Sequence, residues 1–310
     1  MVGLNMPVWK IGALALLVLA QFTHAEEEPL KDVVQDKPKG FSYFAAGVER
    51  INYRERITVG GARVETDTTT ENVVLLSGGR TFINRVWSFS INATSTLYPN
   101  RATEEWKLKN SIDVRTDEDG DGTLDTTTTF EPQTLQTNRF TYTQAATQIL
   151  FHYHPDLWWS IDGGMTYSLG TFKRFAFKSK SALAADQGDA VVEETFGELS
   201  AHAGASVVLP ITEQFRFRTA FQGGAPVISR IENTLHPNLI FDSTSGWNAE
   251  VTASFVYHFN ENINLGVVYD FQYQFKDKQS KNDPDTNTTV YIPENIRMSN
   301  RYGMVISWTF

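Results

Sequence analysis

Two sets of residues in this chain are of types that do chemistry. The first is the acidic run Asp117-Glu118-Asp119-Gly120-Asp121-Gly122-Thr123-Leu124-Asp125, which offers oxygens at alternate positions and so suits a hard cation. The second is a scatter of charges and imidazoles, Asp162, His202, Arg216, Arg218, Glu250, His258, Asp270 and Arg301, each at a polar position of an alternating stretch. Charges of both signs on one face can pair with one another, select ions along a wet path, or move protons. Cysteine is absent, which excludes thiolate metal sites and a disulfide framework.

The elements that must position these residues are strands. At 263–276, Ile263, Leu265, Val267, Tyr269, Phe271, Tyr273 and Phe275 share one face, while Asn264, Gly266, Val268, Asp270, Gln272, Gln274 and Lys276 share the other. The segment 247–260 repeats the rhythm, and only Asn260 to Asn262 separate the two, so they form a hairpin. Pairing Phe259 with Ile263 sets Asp270 opposite Thr252 and Glu250 opposite Gln272, which makes the two acids diagonal neighbours. Arg301 falls at a comparable height on the last strand, and Arg216, Arg218 and His258 gather near the other end.

The same reading predicts ten strands, near 41–57, 72–83, 86–98, 139–154, 158–175, 195–211, 215–231, 246–259, 263–277 and 296–310. Tight turns at Asn84-Arg85, Pro155 to Leu157, Thr212 to Gln214 and Asn260 to Asn262 alternate with longer polar links, including 59–71, 178–194 and 276–295. This asymmetry is that of an antiparallel up-and-down transmembrane β-barrel with short periplasmic turns and long outer loops. Twelve strands follow instead if 104–116 and 124–137 cross the bilayer as a further pair; read as an outer hairpin, they carry the acidic run. Aromatic residues near the tight turns, among them Trp87, Phe151, Trp159 and Trp308, predict an inner girdle. Tyr167, Phe172, Trp247, Phe271, Tyr273 and Tyr302 predict an outer one.

Residues 1–25 read as a secretory signal peptide: Lys10, an apolar run too short to span a bilayer, then Thr23-His24-Ala25. Residues 26–40 read as a charged periplasmic lead-in, and 41–310 as the barrel. Formal charge is −9, and −10 without the signal, which argues against nucleic acid as a partner. An aromatic content of 13% in an otherwise polar chain suits a wall whose two faces meet lipid and water.

Two resemblances add to this reading. The closing strand RYGMVISWTF, with Phe310, Trp308, Ile306, Met304 and Tyr302 at alternate positions, resembles the C-terminal strand of bacterial outer-membrane β-barrel proteins. That resemblance implies an outer-membrane location, contact with outer-membrane lipid, and recognition of Phe310 by the barrel-assembly machinery. The acidic run resembles an EF-hand-type calcium loop with glycine at its sixth position. Carried over by position, Asp117, Asp119 and Asp121 would supply side chains, Thr123 its carbonyl, and Asp125 a direct or water-mediated contact. Thr128 replaces the bidentate Glu at the twelfth position, so the calcium would be structural and weakly held.

Enzyme templates find no match. Omptin proteases also have ten strands, with paired acids and an Asp-x-His element in their outer loops, but no Asp-x-His occurs here and His236 stands alone beside Pro237. The His-x-Ser pair of outer-membrane phospholipases and a Gly-x-Ser-x-Gly elbow are likewise missing. The expected protein is therefore a barrel without catalysis, with a lumen narrow enough for its charges to pair. As a function, the reading is a narrow channel for small solutes or ions. A structural or adhesive barrel working through calcium-stiffened outer loops is the alternative, and a loop-borne hydrolase the third.

Overall fold

A computed structural model describes residues 40–116, 124, 126–156, 158–184, 187–284 and 287–310. Every regular element among them is a strand. Ten stretches close into a ring: β1 (Phe41–Val59), β2 (Ala62–Phe82), β3 (Trp87–Pro99) continued by β4 (Ala102–Leu108), β7 (Gln133–Asp156), β8 (Trp159–Ser179), β9 (Val191–Pro210), β10 (Phe215–Asn233), β12 (Trp247–His258), β13 (Ile263–Lys276) and β16 (Glu294–Thr309). Each is antiparallel to its neighbours, and β1 closes the ring by pairing with both β2 and β16. β11 (His236–Ser243) folds back on β10, while β5 (Ile112–Thr116) with β6 (Thr126–Phe130), and β14 (Gln279–Asp283) with β15 (Thr288–Ile292), form separate outer hairpins.

Alternation dictates the wall. Outward positions carry Phe221 at 58% exposure, Val267 at 54% and Met304 at 78%, surface that only hydrocarbon can cover, whereas inward Glu49 and Arg301 are 2% and 4% exposed. Ring strands of 19 to 24 residues, such as β1 and β7, exceed the roughly 9–11 needed to cross the apolar core. On β1 the outward row passes from Phe44 and Val48 to Arg50 and Arg54, so the strand above Arg50 stands clear of the hydrocarbon.

Four expectations are corrected. The link 59–71 is not a loop: β2 begins at Ala62, and the turn is only Gly60-Gly61, whose φ values of 57° and 84° are left-handed, as a two-residue hairpin turn needs. Thr66, Thr68 and Thr70 face inward there against charged outward neighbours, so no apolar rhythm marked the strand. Residues 104–116 and 124–137 do pair as expected, β4 with the start of β7 and β5 with β6, but β4 also pairs with β2 and so joins the ring above the bilayer, and β7 starts at Gln133. Between β3 and β4, Asn72 takes over pairing that Pro99 interrupts, accepting from Asn100 N at 3.2 Å and donating to Tyr142 O at 3.1 Å. Finally, Phe172 is not in the outer girdle but inside, 6% exposed, because it lies an odd number of residues from outward Trp159.

The putting-together of Asp117, Asp119, Asp121, Thr123 and Asp125 into a cation loop lies outside the described residues. Flanking them, β5 and β6 pair in register from Ile112–Phe130 to Thr116–Thr126.

Candidate functional site

The inward side chains fill the ring in successive layers. Nearest the short turns, Ser88 Oγ meets His154 Nε2 at 2.7 Å, and His258 bonds Asn264. One step further in, Ser90 Oγ lies 2.8 Å from His152 Nε2, and His152 Nδ1 lies 2.6 Å from Asp162 Oδ1. Above these a chain of amides crosses the lumen: Tyr43 donates to Asn92 (3.1 Å), Asn92 to Gln148 (3.2 Å) and Gln148 to Gln222 (3.0 Å).

Next comes the charge network. Arg301 donates to Glu49 at 2.8 Å, Asp270 at 3.0 Å and Gln272 at 3.0 Å, and Ser299 adds a bond to Glu49 at 2.6 Å. Strand register places Arg301 against both partners, opposite Glu49 on β1 and Asp270 on β13. Glu250 accepts from Gln272 at 3.2 Å, and Arg297 bonds Tyr142 and Gln144. Glu198 pairs with Lys276 at 2.7 Å.

Beyond the bilayer the lumen turns aromatic. Tyr53, Phe140, Tyr142, Phe172 and Phe196 interlock, with ring centroids 4.5 Å apart for Tyr53–Phe172 and 4.8 Å for Tyr142–Phe172. Ile51, Ile231, Phe241 and Ile292 complete this core. Over it lies a second ionic knot, in which Arg174 reaches Glu104 at 2.7 Å and Glu55 at 2.9 Å and stacks on Trp106 and Phe140. Burial pushes Glu55 above the usual carboxylate range despite Arg174, with Glu104 adding to the rise. Glu194, 5% exposed, is pushed up to about 7 by burial and by Glu55, against the opposing pull of Arg174 and Lys276.

The structure thus brings Glu250, Asp270 and Arg301 together and gathers Asp162, Arg218 and His258 toward the periplasmic end, where Arg216 is exposed. His202 sits apart, with both ring nitrogens buried and unbonded among the described residues. Sequence reading missed Glu49, Arg80, His152 and Arg297, though each occupies an inward position of a strand it had drawn. It also missed Glu55 and Arg174, which share the inward parity of Glu49 and Asp162 on the same strands, and Glu104 and Glu194, which fall outside the expected strands. His236 does not stand alone, for its Nδ1 is 3.4 Å from Asp283 Oδ2 at the outer rim.

No family model matches the sequence, and no curated protein is a significant match to it. Solved structures do resemble it in shape. The outer-membrane protease OmpT of Escherichia coli superimposes with a TM-score of 0.58 at 12% identity, over 89% of this chain and 99% of that one. OprG of Pseudomonas aeruginosa, also an outer-membrane protein, matches at a TM-score of 0.34 and 12% identity over 88% of this chain and 97% of the other. At such identities the likeness to OmpT speaks for the fold alone. Ring closure, the lipid-facing belt and this shared architecture make the chain an integral outer-membrane β-barrel with ten strands in its wall.

Proposed function

We propose that this barrel does not conduct, and that it works on its extracellular side as a binding platform raised on overlong strands. The observation that carries this reading is the obstructed lumen. Arg301 locks β16 to its neighbours β1 and β13, Arg297 reaches across the lumen to Tyr142 and Gln144 on β7, and above them Tyr53, Phe140 and Tyr142 are fully buried, so a solute would have to break an ionic knot and then an aromatic core. About half the length of β7, β8 and β9 lies outside the bilayer and supports the outer hairpins, an investment that a simple pore would not need. In planar bilayers the folded protein gives no single-channel steps at moderate salt. Reproducible unitary steps would return the narrow channel to first place.

A second reading is favoured by His236 and Asp283, which bring an imidazole and a carboxylate together on the outer rim of a fold shared with a protease. It predicts cleavage of unstructured peptides by intact cells displaying the protein, with a loss of about a hundredfold or more in His236→Ala. Peptides left uncut by the unaltered protein, or cut equally by the variant, end this reading.

A further inference from the structure

We propose that Ser90, His152 and Asp162 form an acyl-transfer triad in the periplasmic half of the lumen, where it hydrolyses short-chain carboxylic esters of the acetyl ester class. Ser90 Oγ lies 2.8 Å from His152 Nε2, and His152 Nδ1 lies 2.6 Å from Asp162 Oδ1. An ionised carboxylate only accepts, so the proton between the ring and Asp162 sits on Nδ1. That leaves the Nε2 lone pair facing the Ser90 hydroxyl, which donates to it. Nucleophile, base and orienting acid in this order are what activates a serine. No sequence motif announces the set, because its members come from β3, β7 and β8 and meet only through strand register.

Arg80 supplies what three such residues lack by themselves. It stands directly opposite Ser90 on β2, is 5% exposed, and its Nε has no hydrogen-bond partner. Its Nη2 and Asp162 Oδ1 approach the same ring nitrogen of His152, at 3.2 and 2.6 Å, so the two charges offset each other without a further ion. An idle buried N–H beside a nucleophile is placed to take the negative charge that develops on a carbonyl oxygen under attack. Nearer the mouth, Ser88 Oγ and His154 Nε2 form a similar pair at 2.7 Å, but no carboxylate bonds that imidazole among the described residues.

Substrate enters from the periplasm. Across the lumen from the triad, inward Ala220, Ser254, Val256, Gly266 and Val305 are partly exposed, so water reaches the space they line. The amide chain from Tyr43 to Gln222 closes that space above. Ser90 is itself only 5% exposed, which restricts the acyl part to a short one. Ser90 Oγ attacks the carbonyl carbon as its proton passes to His152 Nε2. The oxyanion then collapses, the bond to the alcohol oxygen breaks, and the alcohol leaves with that proton. Water attacks the acyl-serine in turn, its proton passing through His152 to Ser90, and the carboxylic acid is released. This site lies apart from the outer rim, so the inference is independent of both readings given above.

The test exposes the folded full chain in detergent to a small dialkyl phosphofluoridate and maps the product by peptide mass spectrometry. One covalent adduct is expected, on Ser90 and not on Ser88, and hydrolysis of p-nitrophenyl acetate stops as it forms. His152→Gln slows both reactions by about a thousandfold or more, whereas Ser88→Ala leaves them unchanged. Asp162→Asn lowers kcat by about a thousandfold at unchanged KM, because an amide no longer holds the imidazole in the working tautomer. The adduct is located in the unaltered chain, so the result does not depend on any variant folding. No adduct on Ser90, or acetate ester hydrolysis that survives in Ser90→Ala, overturns the proposal.

Discussion

Arg301→Met destabilises the folded barrel by about 3–5 kcal/mol, the largest effect expected of a single lumen substitution. Arg301 is the shared cation of Glu49 and Asp270, at 2.8 and 3.0 Å, and all three side chains are almost wholly out of reach of water. Removing it strands two carboxylates in a medium that solvates neither. The pairing itself need not stabilise the protein much over an apolar layer; what costs is breaking one side of it. Urea unfolding from lipid vesicles measures the loss, and replacing Glu49 with Gln and Asp270 with Asn in the same chain should recover most of it. A loss under about 1 kcal/mol would mean that water reaches the network and that the lumen is not closed there.

Stability also falls as pH rises from about 5 to 7, through Glu194. Burial and the neighbouring Glu55 push its carboxyl from the ordinary 4.5 up to about 7. A raised acid binds its proton more tightly in the folded state than in the unfolded one. Its stabilising contribution is therefore complete below the unfolded value and is lost as pH climbs through the folded one. A shift of this size corresponds to about 3 kcal/mol across the window. Glu194→Gln keeps the shape and stays neutral, so it flattens the profile between pH 5 and 7.5 and raises stability at the upper end. An unchanged slope in that variant would place the titration elsewhere. The groups facing Glu194 are Glu55, Arg174, Lys276 and the amide of Asn233, so Glu55 is the next candidate.

The wall was legible because hydrocarbon is a strict solvent. Each crossing residue must be apolar outward, and the alternation of 263–276 with 247–260 fixed a register that the structure reproduces, Glu250 against Gln272 and Thr252 against Asp270. That requirement lapses above Arg50, where water bathes both the outer face and the loops. There the first half of β2 carries no apolar alternation, nothing marks β4 as pairing with β2, and the aromatic core around Tyr53 and Phe172 leaves no signature distinct from a girdle.

The sequence by itself determined the class of protein and the side of the wall on which Asp270, Glu250 and Arg301 lie, because period two and the polarity of each face are local properties, whereas the choice between ten and twelve strands in the wall waited on the structure. Only the tertiary structure decided whom those residues meet. Glu49 and Arg301 are 252 positions apart, and Tyr142 and Arg297 are 155. Whether a ring of ten strands is a pore or a packed cylinder depends on how side chains from opposite walls interdigitate across it, which no single strand encodes.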